Sequence, residues 1–243
     1  MSNIVDRRSH AILDAESRLS KAAKIVRLLE TYIDLKNAKV LEIGAGSGYI
    51  AAHLGEVTGP RGKVHAIDCN DELQITNGLT FTEVDDTSLP FPGESFDIVV
   101  TNHVIEHVGN RMAQEHHLKE IRRVLRANGI AYLAVPNRWT ILEPHFKLPF
   151  LSWLPKCLRS TYVRAFRKGT HYDCNLLSKG DTVRLLKKAG LVGEHVSFKA
   201  FYVMCELERV SQPIRWASLM PKWMLLPCLP IIPTLVFILR KSP

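Results

Sequence analysis

Apolar positions in the first 35 residues recur at helical spacing. Ile12, Ala15, Leu19, Ala22, Val26 and Leu29 fall on one stripe with charges between them, which predicts an N-terminal helix. The texture then changes to short β-branched runs. Lys39–Ile43 (KVLEI) and Lys63–Ile67 (KVHAI) are expected as buried strands, the first ending at glycines and the second at Asp68. Thr80–Val84, Phe96–Thr101 and Ile130–Val135 complete a set of five. Between the last two, Arg111–Arg126 reads as an amphipathic helix with Leu118, Ile121 and Leu125 inward, stopped by Asn128-Gly129. Ser178 caps a further helix running to Ala189, with Asp181 at the capping-box position and Gly190 as terminator. Strand-rich sequence resumes over Leu191–Tyr202.

Strands alternating with helices imply a parallel sheet with helices on both faces. Residues 138–177 break the alternation and are expected as an insertion after the fifth strand. The length of 243 residues suits one elaborated domain. Its expected parts are an N-terminal helical segment (1–36), a core (37–137), the insertion (138–177) and a C-terminal part of the sheet (178–243). The stretch from Trp223 to Leu239 carries no charge. Three prolines interrupt it, and it is shorter than the roughly 20 residues a membrane helix needs, so Thr234–Leu239 is expected as a last buried strand.

Charge sharpens this division. The net charge is +8, yet residues 1–137 hold 15 basic and 18 acidic residues, and residues 138–243 hold 17 and 6. The first half is therefore at −3 and the second at +11, so any positive field belongs to the second half. Five scattered cysteines without a C-x-x-C pair fit reduced thiols rather than a disulfide framework or a zinc site. The N-terminus shows no signal-peptide pattern, and a cytoplasmic chain is expected.

The densest chemistry lies in Leu41-Glu42-Ile43-Gly44-Ala45-Gly46-Ser47-Gly48-Tyr49. Three alternating glycines directly follow the first strand, where a ligand can approach the backbone without meeting a Cβ. The next helix begins near Tyr49 and offers free N–H groups. Downstream of this loop Asp68 ends the second strand, where an acid can accept from ribose hydroxyls. A dinucleotide fingerprint would need a glycine at position 49, and tyrosine stands there.

With AIDCN (66–70), VDDTSLPFPGESFDIVVTNHVIEHV (84–108) and VPN (135–137), this loop resembles the class I S-adenosylmethionine-dependent methyltransferases, of the subgroup similar to ubiquinone/menaquinone methyltransferases. The resemblance implies a Rossmann-like α/β fold: a doubly wound, seven-stranded, mostly parallel sheet with an antiparallel last strand. It implies S-adenosylmethionine as cofactor. Gly44, Ala45, Gly46 and Gly48 would line the methionine portion, with Glu42 beneath the loop. Asp68 would hold the ribose and Cys69 flank the adenine. Asp85 would meet the adenine amino group, with Asp86 as the competing acid, and Asn102 would lie beside the methyl donor.

A sulfonium is an activated donor, so transfer is an in-line displacement governed by positioning. A hydroxyl acceptor also needs a base, for which His103, Glu106, His145 and His171 are candidates and His145 and His103 are preferred. His103, Glu106, His107, His116 and His117 invite a metal reading, but no third ligand is evident in the sequence and no metal is expected. Residues 138–171 carry seven basic residues (Arg138, Lys147, Lys156, Arg159, Arg164, Arg167, Lys168), one acid (Glu143) and many aromatics, among them Trp139, Phe146, Phe150, Trp153, Tyr162 and Phe166. That mixture suits an anionic membrane or lipid phosphate, or equally a lid packed on the core. EPHFKLPFLSWLP (143–155) resembles methyltransferases of surface-polysaccharide and glycolipid assembly, which favours O-methylation of a small-molecule, sugar or lipid-linked glycan hydroxyl. RNA methylation and a non-catalytic cofactor-binding scaffold are the alternatives. No nucleic-acid partner is expected, because neither a base-methylation motif nor an RNA-binding module is present.

Overall fold

The computed structural model describes residues 14–242. Its elements in chain order are α1 (Ala15–Leu29), β1 (Lys39–Ile43), α2 (Tyr49–Thr58), β2 (Lys63–Asp68), β3 (Thr80–Glu83), β4 (Phe96–Asn102), α3 (Arg111–Val124), β5 (Leu125–Pro136), α4 (Lys156–Ala165), α5 (Lys179–Lys188), β6 (Leu191–His195), α6 (Ser197–Leu207), α7 (Gln212–Leu219), α8 (Lys222–Leu225) and β7 (Thr234–Lys241). The strands form one sheet in the order β3-β2-β1-β4-β5-β7-β6. Its first five strands are parallel, and β7 runs antiparallel to both β5 and β6. This is the doubly wound architecture expected from the sequence.

Strand sequence dictates the layering. Along β5, Ile130, Tyr132 and Ala134 face one core and Ala131, Leu133 and Val135 the other. Both faces are covered, which is why these strands read as unbroken apolar runs. On the first face Ala22, Ile25, Val26, Leu28 and Leu29 of α1 pack with Ile50, Ala51 and Leu54 of α2. On the second, Leu118, Ile121 and Val124 of α3 pack with Leu185 and Leu186 of α5. Ser178 and Asp181 form the expected capping box, and Gly190 follows with φ +70°.

Several expectations need correction. Within the α1 stripe Leu19 is exposed, Ile25 and Leu28 are buried, and Ile12 lies outside the described residues. Helix α3 does not run to Asn128-Gly129. Leu125 turns to extended backbone and enters β5, with the pairing skipping from Phe96–Leu125 to Ile98–Ile130, so residues 126–129 bulge out of the strand. The strand-rich stretch to Tyr202 stops at His195, and Ser197–Leu207 is helix. Tertiary contacts override the β propensity of its Phe, Tyr and Val: Glu208, just past the end of α6, accepts from Ser20 and Lys24 of α1, and Glu206 pairs with Arg27 at 3.2 Å.

The insertion has its own small core of Leu148, Leu151, Val163, Tyr172, Cys174 and Leu176. It is docked beside α3, where Gln114 Nε2 donates to the carbonyls of Ile105 and Asn175 and Asn175 N–H donates to Glu106 O. One of its seven basic residues does not face outward. Arg159 is buried, donates to the carbonyls of Leu154 and Ser152, and lies over the Tyr172 ring.

Candidate active site

The strand order reverses between β1 and β4, and ligands of such sheets bind outside the carboxyl ends of the strands at that point. The glycine loop occupies this position. Gly44 and Gly48 have φ of +81° and +82°. A Cβ on Gly44 would stand 2.3 Å from Val104 Cγ2, and one on Gly48 would stand 2.6 Å from the Ile75 carbonyl. The loop is therefore wedged between the segments that follow β4 and β2, and only glycine fits.

Asp68 ties this loop to β2. One carboxylate oxygen accepts from Gly46 N–H at 2.8 Å and the other from Cys69 N–H at 2.7 Å. Each oxygen keeps a lone pair for a further donor, as a ribose contact requires. Cys69 is half-buried beside it. Asp85 and Asp86 are both exposed, and Asp86 accepts from Ser88 N–H at 2.6 Å in an Asx turn of its own.

Glu42 is fully buried under the loop, and its Oε2 has no hydrogen-bond partner. Burial pushes its carboxyl up to about 8, against the opposing pull of Ala51 N–H and the Arg18 guanidinium. A carboxyl raised in the folded state stabilises fully below the ordinary carboxylate range, near 4.3, and loses that contribution as pH rises through about 8. Glu42→Gln should abolish this slope, which reaches about 1.4 kcal/mol per pH unit. The melting temperature of the parent relative to the variant should fall between pH 5 and pH 8; parallel profiles would contradict the assignment.

Beyond β4 the chain makes a tight turn. His103 takes φ +59° and donates its N–H to Ala134 O at the end of β5. This turn places residues 103–107 over the loop and gathers a cluster that sequence separation conceals. Glu106 is fully buried, with His145 Nε2, His103 Nδ1 and His107 Nε2 at 3.5, 3.6 and 3.8 Å from its Oε1. His107 Nε2 and His145 Nε2 are 3.2 Å apart. His145 Nδ1 lies 2.8 Å from buried Glu143, which also accepts from Phe146 N–H and the Tyr172 hydroxyl. Burial opposes charge on these groups, but their mutual contacts outweigh it. The imidazoles hold Glu106 well below the usual carboxylate range, and Cys174, Glu106 and Glu143 push His145 up to about 12.

The structure thus unites His103, Glu106 and His145 at the carboxyl ends of β4 and β5, next to Asn102. It leaves the other imidazoles apart. His171 is exposed and 3.1 Å from Ser160, His116 is near Ser88, and His117 is buried beside Thr101. His145 aims Nε2 at Glu106 and His107, so its role is bound to that cluster. Sequence reasoning missed Tyr172 and Cys174, which lie at the far end of the insertion from His145, and missed Arg18 near Glu42. No local pattern marks them.

A methyltransferase-domain family model matches residues 41–133, the span from the glycine loop into β5. Over that span the chain matches a methyltransferase domain, and the match supports the class I S-adenosylmethionine-dependent kind. S-adenosylmethionine is the cofactor that this match supports. The chain is 26% identical over 164 residues to a 2-methyl-6-phytyl-1,4-hydroquinone methyltransferase of Oryza sativa, covering 65% of this chain and 46% of that protein. It is 28% identical over 182 residues to the ubiquinone biosynthesis O-methyltransferase of Cereibacter sphaeroides, covering 70% and 66%. It therefore spans less than two thirds of the length of both relatives. An S-adenosylmethionine-dependent methyltransferase of Mesorhizobium loti has the same fold, with a TM-score of 0.61 at 15% identity over 92% of this chain and all of that one.

Proposed function

We propose that this methyltransferase transfers the sulfonium methyl group to a hydroxyl of a small, lipid-borne acceptor at the cytoplasmic face of a membrane. A lipid-linked glycan or an isoprenoid-tailed ring both belong to that class. The observation that carries the reading is an exposed apolar surface at the carboxyl end of the sheet. Trp216, Leu219 and Trp223 on α7 and α8 are 66%, 76% and 69% exposed. Asn137, directly after β5, joins this surface to the insertion: its Nδ2 donates to the carbonyls of Pro230 and Ile232, and its Oδ1 accepts from Trp139 N–H. Within the insertion Trp139, Trp153 and Phe150, all exposed, pack edge to face.

Large apolar faces of this kind mark lipid or ligand contact, and residues 209–243 contain no acid to repel an anionic leaflet. Among the described residues no helix is long and apolar enough to cross a membrane, which leaves peripheral contact as the mode proposed. The names of the two relatives favour acceptors with apolar tails. In the displacement the acceptor oxygen forms its bond to the methyl carbon as the carbon–sulfur bond breaks, giving S-adenosylhomocysteine and releasing the hydroxyl proton. His103, next to Asn102 at the end of β4, is the base proposed for that proton.

Vesicle flotation tests the membrane contact. The chain should float with vesicles containing an anionic lipid, and the double variant Trp216→Glu, Trp223→Glu should bind at least tenfold more weakly, since each buried indole contributes roughly 1.5–3 kcal/mol. Equal flotation of parent and variant would sink the assignment.

A further inference from the structure

We propose that His107, His145 and Cys174 form a binding site for a divalent transition-metal ion of the zinc type, with Glu106 against its two imidazoles. The sequence offers no third ligand at helical spacing, but the docked insertion brings two. The ligand atoms of His107, His145 and Cys174 lie within 4.8 Å of one another, and a second overlapping set contains His103, Glu106 and His145. A tetrahedral ion bound at about 2.0–2.3 Å has ligand–ligand edges of roughly 3.3–3.8 Å. The edges here are 3.2 Å between the two Nε2 atoms, 3.5 Å from His145 Nε2 to Glu106 and 3.8 Å from His107 Nε2 to Glu106.

Two further observations point to an ion. Glu106 is fully buried, and neither of its carboxylate oxygens accepts a hydrogen bond. Burying a carboxylate costs several kcal/mol unless a countercharge compensates; protonated imidazoles supply it in the cluster as it stands, and a dication displacing those protons would take their place. Glu143 completes the arrangement from behind. At 2.8 Å from His145 Nδ1 it can hold the Nδ1 proton, so that an ion displacing the Nε2 proton would meet the Nε2 lone pair directed into the cluster. Tyr172 and Phe146 N–H hold Glu143 in turn. A carboxylate behind a ligating imidazole is the usual outer shell of a metal site. Softness agrees as well, since a thiolate and two imidazoles select zinc over calcium or magnesium.

The ion would pin the insertion, through His145 and Cys174, to the turn after β4 that carries Glu106 and His107. This assignment does not rest on the acceptor proposed above. Its test is zinc titration of the chelator-treated full chain, with competition by a chromophoric chelator and a cobalt(II) spectrum. The expected result is one equivalent bound, a higher melting temperature with zinc, and a thiolate-to-cobalt charge-transfer band. His107→Ala and Cys174→Ser should each weaken zinc at least tenfold, and Glu143→Gln should weaken it by roughly 10- to 100-fold. Stoichiometric binding that both ligand variants leave unchanged would place the ion elsewhere, at Cys157 or Cys228 for example, and overturn the proposal. Should a variant fail to fold, the parent decides: no binding, or binding without the thiolate-to-cobalt band, overturns the site.

Discussion

Replacing Asp68 with alanine should weaken S-adenosylmethionine binding at least a hundredfold while leaving the sheet intact. The carboxylate performs two tasks. It accepts from Gly46 N–H and Cys69 N–H, so it holds the glycine loop against the end of β2. Each oxygen keeps a lone pair for the ribose hydroxyls that the resemblance assigns to it. Hydrogen bonds to a charged group contribute roughly 1.5–3 kcal/mol each, so losing two ribose contacts removes about 3 kcal/mol or more. Asp68→Asn, which keeps one acceptor oxygen but not the charge, should fall between parent and alanine. Calorimetric titration measures all three. An alanine variant within threefold of the parent would contradict the ribose contact.

Gly48→Ala should damage both the fold and the cofactor site, and Gly59→Ala should damage neither severely. Both glycines have left-handed φ, +82° and +75°. Alanine costs roughly 1–2 kcal/mol at Gly48, in the left-handed α region, and roughly 1–3 kcal/mol at Gly59, whose ψ of −176° lies in a region kept by glycine. Only at Gly48 does the new Cβ meet the Ile75 carbonyl at 2.6 Å and Leu73 Cδ2 at 2.8 Å, whereas Gly59 has nothing within 4 Å. Overpacking adds about 1–3 kcal/mol. At about 2–4 °C per kcal/mol for a chain of this size, Gly48→Ala should melt roughly 4–20 °C below the parent, and further below it than Gly59→Ala. Gly48 also caps α2 without a side-chain bond, so its N–H groups remain directed at the cofactor position. Equal losses in the two variants would show that φ alone, and not the close approach of residues 73–75, requires glycine at 48.

What the sequence made legible follows from the range of the forces involved. Strands β1, β4, β5 and β7 announce themselves because burial on both faces demands continuous apolar runs. The glycine loop and Asp68 lie at the ends of consecutive strands, so the chemistry of cofactor binding is compressed into one short stretch of chain. Helix α6 was hidden because its Phe, Tyr and Val favour a strand locally, and only the contacts with α1 make it helical. The basic character of the insertion was plain, but not that Arg159 spends its donors on buried carbonyls. The acid–imidazole cluster is the deepest omission. Glu106 and His107 stand in a recognisable stretch, yet their partners His145 and Cys174 arrive through a docked insertion with a core of its own, and no local period encodes that docking.

Methyl transfer itself is tested most directly with S-adenosylmethionine labelled in its methyl group, incubated with the full chain and a total cell extract, then partitioned into lipid, soluble and nucleic-acid fractions. The account predicts enzyme-dependent label in the lipid fraction, lost with Asp68→Ala. Label confined to nucleic acid, or cofactor binding without label in any fraction, would contradict it.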